Sequence, residues 1–408
     1  MRSVELFAGA GGLGMGLSRA GFRPEAVIEW DRHSCENVRA NQRLGVDPVC
    51  HWPLYEMDAR EFDFSGLPEG VQLISGGPPC QPFSIGGKHR GPRDQRDMFP
   101  VAINAVRELR PKAFIFENVK GLTRPGFARY FSYITLQLSY PGIQAREGED
   151  WTDHLSRLEQ HHTSRSRDGL GYNVVSRVLN AANHGVPQKR ERVFFVGFRS
   201  DLDVRWSFPK ETHSLDALLW SQYATGDYWE RHEVPMKQRR KPMNPAMQKR
   251  ARSVCDQLFP PDAKPWLTVR DALHDLPHPG DPAARAIPNH EPRSGARAYP
   301  GHTGSPLDEP AKTLKAGDHG VPGGENMLAY SNGKVRYFTV RESARLQTFP
   351  DDFVFTGSWS ENMRQLGNAV PVTLAQVLAE AIRKKLEPLE GTGQGEPDGR
   401  GAAVQPAG

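Results

Sequence analysis

Cysteine and long apolar runs are scarce in this chain, and each scarcity excludes a class of protein. The 408 residues include four cysteines, Cys35, Cys50, Cys80 and Cys255, and none of them belongs to a CxxC pair. We therefore expect no disulfide framework and no metal site. No stretch reaches the roughly 18 apolar residues of a membrane span, and the N-terminus has no apolar run behind basic residues. These absences predict a soluble cytoplasmic protein without a membrane partner.

The composition is that of a globular protein with a sizeable core. Hydrophobic residues make up 38% of the chain and charged residues 25%, and both are ordinary values for a soluble domain. The formal charge of +4 leans basic, which is compatible with a polyanionic partner but does not establish one. The length allows one large domain with a smaller one beside it.

The first 200 residues alternate short apolar runs with amphipathic segments. The runs typical of buried strands occupy residues 3–7, 25–28, 71–74 and 113–116. Segments between them, such as 98–109, are predicted to be helices, and the alternation predicts a parallel doubly wound α/β sheet. Residues 172–175 and 192–198 are predicted to pair as an antiparallel hairpin at the sheet edge. Residues 142–167 are charged and poor in apolar side chains, which predicts a solvated surface insertion.

The character of the sequence changes after about residue 200. Pro, Gly and His become frequent, the periodicity fades, and aromatic residues lie beside basic clusters. A helical pattern returns after Val340 and ends near Leu386. Residues 388–408 are rich in Gly, Pro and polar side chains, and we expect them to be disordered.

A glycine-rich turn follows the first predicted strand, where residues 7–14 read FAGAGGLG. Its glycines let the backbone turn tightly and approach a ligand closely beside a helix N-terminus. The next strand ends at Glu29 and Trp30, an acid suited to ribose hydroxyls and an indole suited to adenine. Gly9, Gly11 and Gly14 form a GxGxxG pattern, so NAD and S-adenosylmethionine both remain open here. A purely structural glycine turn is a further alternative.

A rigid bend follows a later strand, where residues 76–84 read GGPPCQPFS. Two prolines fix the backbone just after the strand end, the position at which α/β sheets place ligands and chemistry. A lone cysteine is usually a small buried hydrophobe. Cys80 instead lies in a Pro-Pro loop and is followed by the polar Gln81 and Ser84, which favours a catalytic nucleophile.

Two more segments bring charge to the ends of predicted strands. Glu117 follows the strand at 113–116 and is a candidate proton donor or acceptor, with a capping or surface acid as the plainer alternative. In the segment QKRER, strand alternation puts Gln188, Arg190 and Arg192 on one face. Taken alone, that segment is typical of an edge strand with solvated charges.

Two C-terminal runs complete the set of motifs. RESARLQTFP is predicted to be helical, with Arg341 and Arg345 one turn apart on one face. QLGNAVP, which contains Asn368, is interpreted as a Gly-Asn turn that opens the last helix.

The chain resembles the DNA cytosine-5 methyltransferases of restriction-modification systems, whose blocks occur here in their usual order. The blocks are FAGAGG, EWD, GGPPCQPFS, ENV, QKRER and the closing RESARLQTFP with QLGNAVP. The resemblance covers about residues 1–200 and 335–385. It implies a Rossmann-like sheet of the S-adenosylmethionine-dependent methyltransferases with a smaller, irregular target-recognition domain. The implied divisions are a catalytic and cofactor-binding lobe (1–200), a target-recognition lobe (201–340), a C-terminal helical segment returning to the first lobe (341–387) and the tail (388–408).

The resemblance also implies roles for individual residues. Cys80 would add to carbon 6 of cytosine, Glu117 would donate or share a proton at ring nitrogen 3, and Arg192 would hold the carbonyl oxygen, with Arg190 in the same catalytic set. Arg192 beside Glu117 would lower the pKa of that carboxyl group, whereas proton donation requires it raised, and we expect burial to prevail. The residues implied for S-adenosylmethionine are Phe7, Gly9, Gly11, Gly12, Glu29, Trp30, Asp58, Pro79 and Asn368.

Double-stranded DNA is the implied partner, because the target carbon is inaccessible inside a duplex and the base must be extruded. The basic run 231–252 is predicted to contact phosphates, although a solvated charge run is its ordinary interpretation. The residues expected at DNA are Ser84, Lys88, Gln188, Lys237, Arg239, Arg240, Lys241, Lys249 and Arg250. We expect a monomer, with a cognate restriction endonuclease acting separately.

Three other functions remain as alternatives. An RNA cytosine-5 methyltransferase would share the catalytic blocks, but the long region between the last two blocks favours DNA. A NAD-dependent oxidoreductase is supported only by the GxGxxG pattern. A non-catalytic DNA-binding relative would not need every chemical position intact.

Overall fold

The computed structural model describes residues 1–79, 97–164, 169–239, 244–300, 302–316 and 326–389. Its central sheet consists of β1 (Arg2–Leu6), β2 (Arg23–Glu29), β3 (Leu54–Glu56), β4 (Leu73–Gly76), β5 (Ala113–Val119), β6 (Tyr172–Asn180) and β8 (Glu191–Arg199). Short strands elsewhere are β7 (Gln188–Lys189), β9 (His213–Ser214), β10 (Lys264–Pro265), β11 (Ser305–Pro306), β12 (Ala311–Lys312), β13 (Met327–Ala329) and β14 (Val335–Tyr337).

The central sheet has the strand order β3-β2-β1-β4-β5-β8-β6. Strands β1 to β5 run parallel to their neighbours, whereas β8 is antiparallel to both β5 and β6. The parallel part confirms the predicted doubly wound sheet, and the β6–β8 pair confirms the predicted antiparallel hairpin at its edge. The sheet is therefore mixed and not parallel throughout.

Helices cover both faces of the sheet and continue through the rest of the chain. They are α1 (Gly12–Arg19), α2 (Arg32–Arg43), α3 (Phe99–Leu109), α4 (Ala128–Ser139), α5 (Trp151–Ser164), α6 (Leu215–Leu219), α7 (Asp227–Arg231), α8 (Pro245–Cys255), α9 (Val269–Leu273), α10 (Val340–Leu346), α11 (Trp359–Asn368) and α12 (Val372–Leu386). Helix α3 confirms the helix predicted at 98–109. Among the described residues, no helix combines the length and the apolar character that crossing a bilayer requires.

Strand alternation divides the core between the two faces of the sheet. Phe195 of β8 and Phe114 of β5 pack with α3 and α4 on one side, whereas Phe194 and Ile115 pack with α1 and α12 on the other. Successive side chains of a strand point to opposite faces, so apolar runs such as Ala113–Val119 serve both layers. The result is a three-layer arrangement with the sheet in the middle.

The predicted surface insertion at 142–167 was wrong for its middle part, which forms α5. Trp151, Leu155 and Leu158 recur at helical spacing, and the two leucines are buried against the sheet face that carries α4. His154 is buried in the same helix, between the hydroxyl of Tyr133 and the carbonyl oxygen of Ile143. The many charges of the segment lie on the outer face and masked this periodicity.

The region from about 201 to 339 is built from short elements with small cores of their own. One core joins Leu218, Tyr228, Trp229 and Val234, and another packs α8 through Ala251 and Val254 against Leu219. Trp220–Ala224 continues α6 as a π-helical turn. The part of the sequence in which the periodicity fades thus folds into short helices and strands.

The C-terminal segment returns to the N-terminal half, as the resemblance implied. Helix α12 packs on α1, and Gly16 permits this approach because a Cβ there would lie 2.6 Å from the backbone nitrogen of Gln376. Gly367 and Asn368 end α11, so the predicted turn does not itself open the last helix. Pro371 precedes the first residue of α12 instead. Residues 390–408, which include nearly all of the tail expected to be disordered, lie outside the described residues.

Candidate active site

The motifs meet where the strand order of the sheet reverses, between β1 and β4. The register pairs Leu6 with Gly76 and Gly76 with Phe116, so the glycine turn and the Pro-Pro bend follow their strands at the level where β5 reaches Glu117. A crevice at such a reversal is where open α/β sheets bind ligands. The sequence predicted this convergence from strand ends alone.

Glu117 and Arg192 form a buried ion pair at this edge. Arg192 Nε lies 2.9 Å from Glu117 Oε1, because the antiparallel register places Arg192 opposite Val119, two residues from Glu117. Burial raises the pKa of Glu117, and Arg192 and Arg190 oppose that shift without cancelling it. The expectation that burial prevails is confirmed in direction. A carboxyl group with a raised pKa can carry a proton near neutral pH.

Asn118 holds the Pro-Pro bend in place. Its side-chain amide donates to the carbonyl oxygen of Pro78 at 2.9 Å, and its own oxygen accepts the amide hydrogen of Val119 at 2.8 Å. The amide of Met98 donates to the carbonyl oxygen of Pro79 at 3.1 Å. The two ends of the segment between Pro79 and Met98 are thus held next to each other at the site. Cys80, Ser84 and Lys88 lie between these ends and outside the described residues.

Arg190 does not reach the open part of the site. It is 0% exposed, and its guanidinium donates to the carbonyl oxygens of Leu314 at 3.2 Å and Gly367 at 2.8 Å. These contacts join the strand that carries Arg192 to two distant segments. The structure therefore places Arg190 as a support and not as a group that meets the substrate, which corrects its expected catalytic contact.

Gln188 is also removed from its expected place at DNA. It is 0% exposed, accepts the amide hydrogen of Leu314 at 3.0 Å and donates to the carbonyl oxygen of Leu346 at 3.2 Å. Both ends of its amide are occupied inside the protein. Strand β7 pairs with β12 beside it. Gln188 and Arg190 are buried for the same reason, because the segment around Leu314, which is distant in sequence, covers both side chains.

The glycines of the turn serve different purposes. Gly9 has φ +56° and a Cβ there would meet nothing within 4 Å, so it borders open space. A Cβ on Gly11 (φ +83°) would lie 2.7 Å from the indole of Trp52, and one on Gly12 would overlap the carbonyl oxygen of Val370. Gly9 is therefore the one of these three glycines whose Cβ position borders open space. Gly11 and Gly12 permit close internal packing.

Glu29 is the acid that closes this space. Its carboxylate accepts backbone amide hydrogens from Gly9 at 2.6 Å, Trp30 at 2.9 Å and Asp31 at 2.8 Å. Burial raises its pKa, and these three donors act against that shift. Phe7, at the start of the turn, adopts φ 56°, a strained conformation for a bulky residue that is typical of functional sites.

The structure also describes Trp30, Asp58 and Asn368, which are expected at the cofactor. The side chain of Trp30 is 69% exposed directly after Glu29. Asp58 pairs with Arg60, with Nε 3.0 Å from both carboxylate oxygens. Asn368 is exposed two residues before Val370, which touches Gly12. Open space at Gly9, a hydrogen-bonding acid and a free aromatic face fit an adenosyl group.

The basic residues of the middle region are partly available to a polyanion. Lys237 and Lys249 are exposed, and Arg239 donates to the carbonyl oxygen of Val234 at 3.1 Å. Arg250 pairs with Asp216 at 2.6 Å, so part of its charge is already neutralised. Arg240 and Lys241 lie outside the described residues.

One group of possible metal ligands occurs in the described part of the chain, although none was expected. Asp47, Cys50 and His51 offer ligand atoms that lie within 4.8 Å of one another. Asp47 and His51 are exposed, and the group lies on the surface between α2 and β3. It is separate from the residues of the site.

A family model and curated relatives match nearly the whole chain. The model described as C-5 cytosine-specific DNA methylase matches residues 1–143 and 154–384. The type II methyltransferase M.PspPI of Psychrobacter sp. (strain TA137) is 32% identical over 390 residues, 94% of this chain and 79% of that protein. The type II methyltransferase M.NgoMIV of Neisseria gonorrhoeae is 30% identical over 389 residues, 94% of this chain and 98% of that protein.

A solved structure has the same fold. The S. pombe Dnmt2 methyltransferase is 18% identical and superposes with a TM-score of 0.52, covering 95% of this chain and 99% of that chain. At this identity the likeness concerns the arrangement of helices and strands alone.

Proposed function

Because the chain belongs to the C-5 cytosine-specific DNA methylase family and is a DNA cytosine-5 methyltransferase, we propose that Cys80 attacks a cytosine extruded from duplex DNA while Glu117 and Arg192 hold that base. The buried Glu117–Arg192 pair beside the Pro-Pro bend is the observation that supports this assignment most directly. Family membership removes the oxidoreductase alternative. It also favours DNA over RNA as the substrate.

Carbon 5 of cytosine is a poor nucleophile, so the chain must first activate the ring. Addition of the Cys80 thiolate to carbon 6 turns carbon 5 into the nucleophilic end of an enamine, a covalent route that divides one hard step into easier ones. A free cysteine with a pKa of about 8.5 is only roughly one-tenth thiolate near pH 7.5. A positive charge close to Cys80 would increase that fraction.

Glu117 stabilises the adduct by supplying a proton to ring nitrogen 3. Its raised pKa suits this task, and Arg192 keeps the carboxyl group oriented. Arg192 pairs with Glu117 through Nε and donates from Nη1 to the backbone carbonyl of Glu191 at 2.9 Å, and its remaining N–H groups would serve the carbonyl oxygen of the base. After methyl transfer a base must remove the proton from carbon 5, and water can serve.

S-adenosylmethionine is the proposed cofactor, and when bound it supplies the electrophilic methyl group. Glu29 would accept hydrogen bonds from the ribose hydroxyls, Trp30 would cover the adenine, and the open side of Gly9 would border the ligand. Phe7, Asp58, Pro79 and Asn368 are proposed to line the same opening. Gly11 and Gly12 are proposed to border the cofactor as well, and a larger side chain at either position would clash with Trp52 or Val370.

The trapping experiment tests the nucleophile. Duplex DNA containing 5-fluorocytosine should form a complex that survives denaturation, because fluorine blocks the final elimination from carbon 5. Cys80→Ser should abolish both turnover and trapping, while Cys255→Ser should retain both. Trapping that persists in Cys80→Ser would reject the assignment.

Residues 201–340 are proposed to choose the target sequence. The residues of the N-terminal lobe do chemistry that is common to any cytosine, whereas discrimination needs contacts to base edges, each worth about 1–3 kcal/mol. Exposed Lys237, Lys249 and Arg252 would meet phosphates. Exchange of this region for that of a relative with another target should transfer the target, read by sequencing the methylated DNA. An active chimera that still methylates the original site would refute this role.

We also propose that the protein acts as a monomer and protects DNA from a separate restriction endonuclease. The relatives carry the name type II methyltransferase, which supports a modification role. The modification role would be tested by measuring whether the protein protects DNA from cleavage by a restriction endonuclease that cuts the methylated sequence.

A further inference from the structure

Helix α11 contacts the strand end that carries Glu29 through one arginine. Arg364 Nη2 lies 3.0 Å from Asp31 Oδ2, and the same guanidinium pairs with Glu361 through Nη2 at 2.6 Å and Nε at 2.9 Å. Gln365 donates to Glu361 at 3.0 Å as well. Arg364 is thus held from its own helix while it reaches across to the end of β2.

Asp31 also contacts Glu29, the acid proposed to bind the cofactor. Its backbone amide donates to Glu29 Oε1 at 2.8 Å, and Glu29 Oε2 accepts the amide hydrogen of Gly9 at 2.6 Å. The Asp31 side chain also caps α2 by accepting from the amide and hydroxyl of Ser34, each at 2.8 Å. A continuous chain of polar contacts therefore runs from Arg364 through Asp31 and Glu29 to the glycine turn.

Helix α2 does not need Arg364 to stay in place. Buried Asn37 donates to Gln365 at 2.7 Å and accepts from the amide of Thr356 at 2.7 Å. Buried Asn41 exchanges hydrogen bonds of 2.8 Å with the backbone of Val354 in both directions. These contacts anchor the helix to the C-terminal segment, whereas the partly exposed Arg364–Asp31 pair adds little to stability.

We propose that Arg364 is a positioning residue for cofactor binding: it fixes Asp31 and thereby the carboxylate of Glu29. This inference rests on the proposed assignment of Glu29 to S-adenosylmethionine. Two adjacent carboxylates at the end of β2 repel each other, and the guanidinium balances one of them. Without it, the strand end keeps its fold but loses the fixed orientation that a preorganised acceptor needs.

The test compares variants of the full chain by calorimetric titration with S-adenosylmethionine in the absence of DNA. Arg364→Gln should weaken cofactor affinity about fivefold to tenfold, while the melting temperature of the free protein and the KM for DNA stay close to wild type. Arg364→Lys should recover most of the affinity, because an ammonium can still meet Asp31. In an Asp31→Asn background, Arg364→Gln should have little further effect.

Arg32→Gln is the matched control. Arg32 begins α2 directly after Asp31 and, among the described residues, forms an ion pair with Glu36 alone, at 2.9 Å, with 79% of its side chain exposed. It should leave cofactor affinity unchanged. Unchanged affinity in Arg364→Gln would overturn the proposal, as would a fall in melting temperature that Arg364→Lys does not reverse. Glu29→Ala separates the assignment of Glu29 from the role of Arg364. If Glu29→Ala also leaves cofactor affinity unchanged, the assignment of Glu29 to the cofactor is wrong. If Glu29→Ala weakens binding and Arg364→Gln does not, only the role of Arg364 is wrong.

Discussion

Glu5 is a carboxyl group enclosed by the glycine turn, and its replacement by glutamine should stabilise the protein at neutral pH. The side chain is 3% exposed, and Oε1 accepts the amide hydrogen of Gly14 at 2.9 Å. The carboxylate lies close against Gly14, where an added Cβ would overlap it. Burial raises the pKa of Glu5 from 4.5 to about 8, and the neighbouring charge of Glu29 acts in the same direction.

The sign of the pH dependence follows from the raised pKa. Between pH 4.5 and about 8 the folded protein holds a proton that the unfolded chain has released. The stabilising contribution is therefore complete below the unfolded pKa and is lost as the pH rises toward 8, by at most about 1.4 kcal/mol per pH unit. Glutamine keeps an oxygen acceptor for Gly14 and has no proton to lose. The free energy of unfolding of Glu5→Gln should thus gain about 2 kcal/mol relative to wild type between about pH 6 and pH 8.

Urea unfolding followed by tryptophan fluorescence at several pH values measures this gain. The midpoint of Glu5→Gln should move away from that of wild type as the pH rises, at a similar slope with denaturant. Glu69→Gln removes an exposed carboxylate and controls for the loss of one negative charge. A difference between Glu5→Gln and wild type that stays constant or shrinks with rising pH would refute the reasoning.

Two further predictions concern the site itself. Glu117→Gln and Arg192→Ala should each reduce the methylation rate strongly, and the double variant should lose much less than the product of the two effects, because both groups serve one step; multiplicative losses in single-turnover assays would mean that they act separately. Gly12→Ala should lower the melting temperature through overlap with Val370, at a cost of about 1–3 kcal/mol. Gly9→Ala should instead mainly weaken S-adenosylmethionine binding in calorimetry, and the reverse pattern would contradict the division of roles within the turn.

Local patterns in the sequence were sufficient to predict six of the seven strands of the sheet and the meeting of its motifs, but not the short strand β3. The apolar part of β5 is followed by Glu117, and β4 ends just before the Pro-Pro bend, so Glu117 and the bend were expected at the same edge. The helix α5 was missed because its charged outer face hid a spacing of Trp151, Leu155 and Leu158 that is helical. That signal was present in the sequence.

Other features had no local signal. Arg364 contacts Asp31 and Gln365 contacts Asn37 across more than 300 residues of chain, and neither contact follows from the residue type or its neighbours. The purpose of Gly12 depends on Val370, which arrives with the C-terminal segment. Such contacts are set by tertiary packing, and a pattern of residues in one segment does not specify its distant partner.

In the segment QKRER, contacts with distant segments decide where each polar side chain lies. Strand alternation predicted Gln188, Arg190 and Arg192 on one face, but the extended chain is interrupted there: Gln188 lies in β7, Arg192 lies in β8, and the amide of Arg190 between them donates to the carbonyl oxygen of Gln188 at 3.0 Å. The segment around Leu314 covers Gln188 and Arg190, whose side chains hydrogen-bond to backbone groups of the middle and C-terminal segments. Arg192 lies beyond this cover and opposite β5, where it meets Glu117. The middle region is therefore fastened next to the start of β8, the strand that carries Arg192. We expect any tilt of the middle region on DNA to act on that strand.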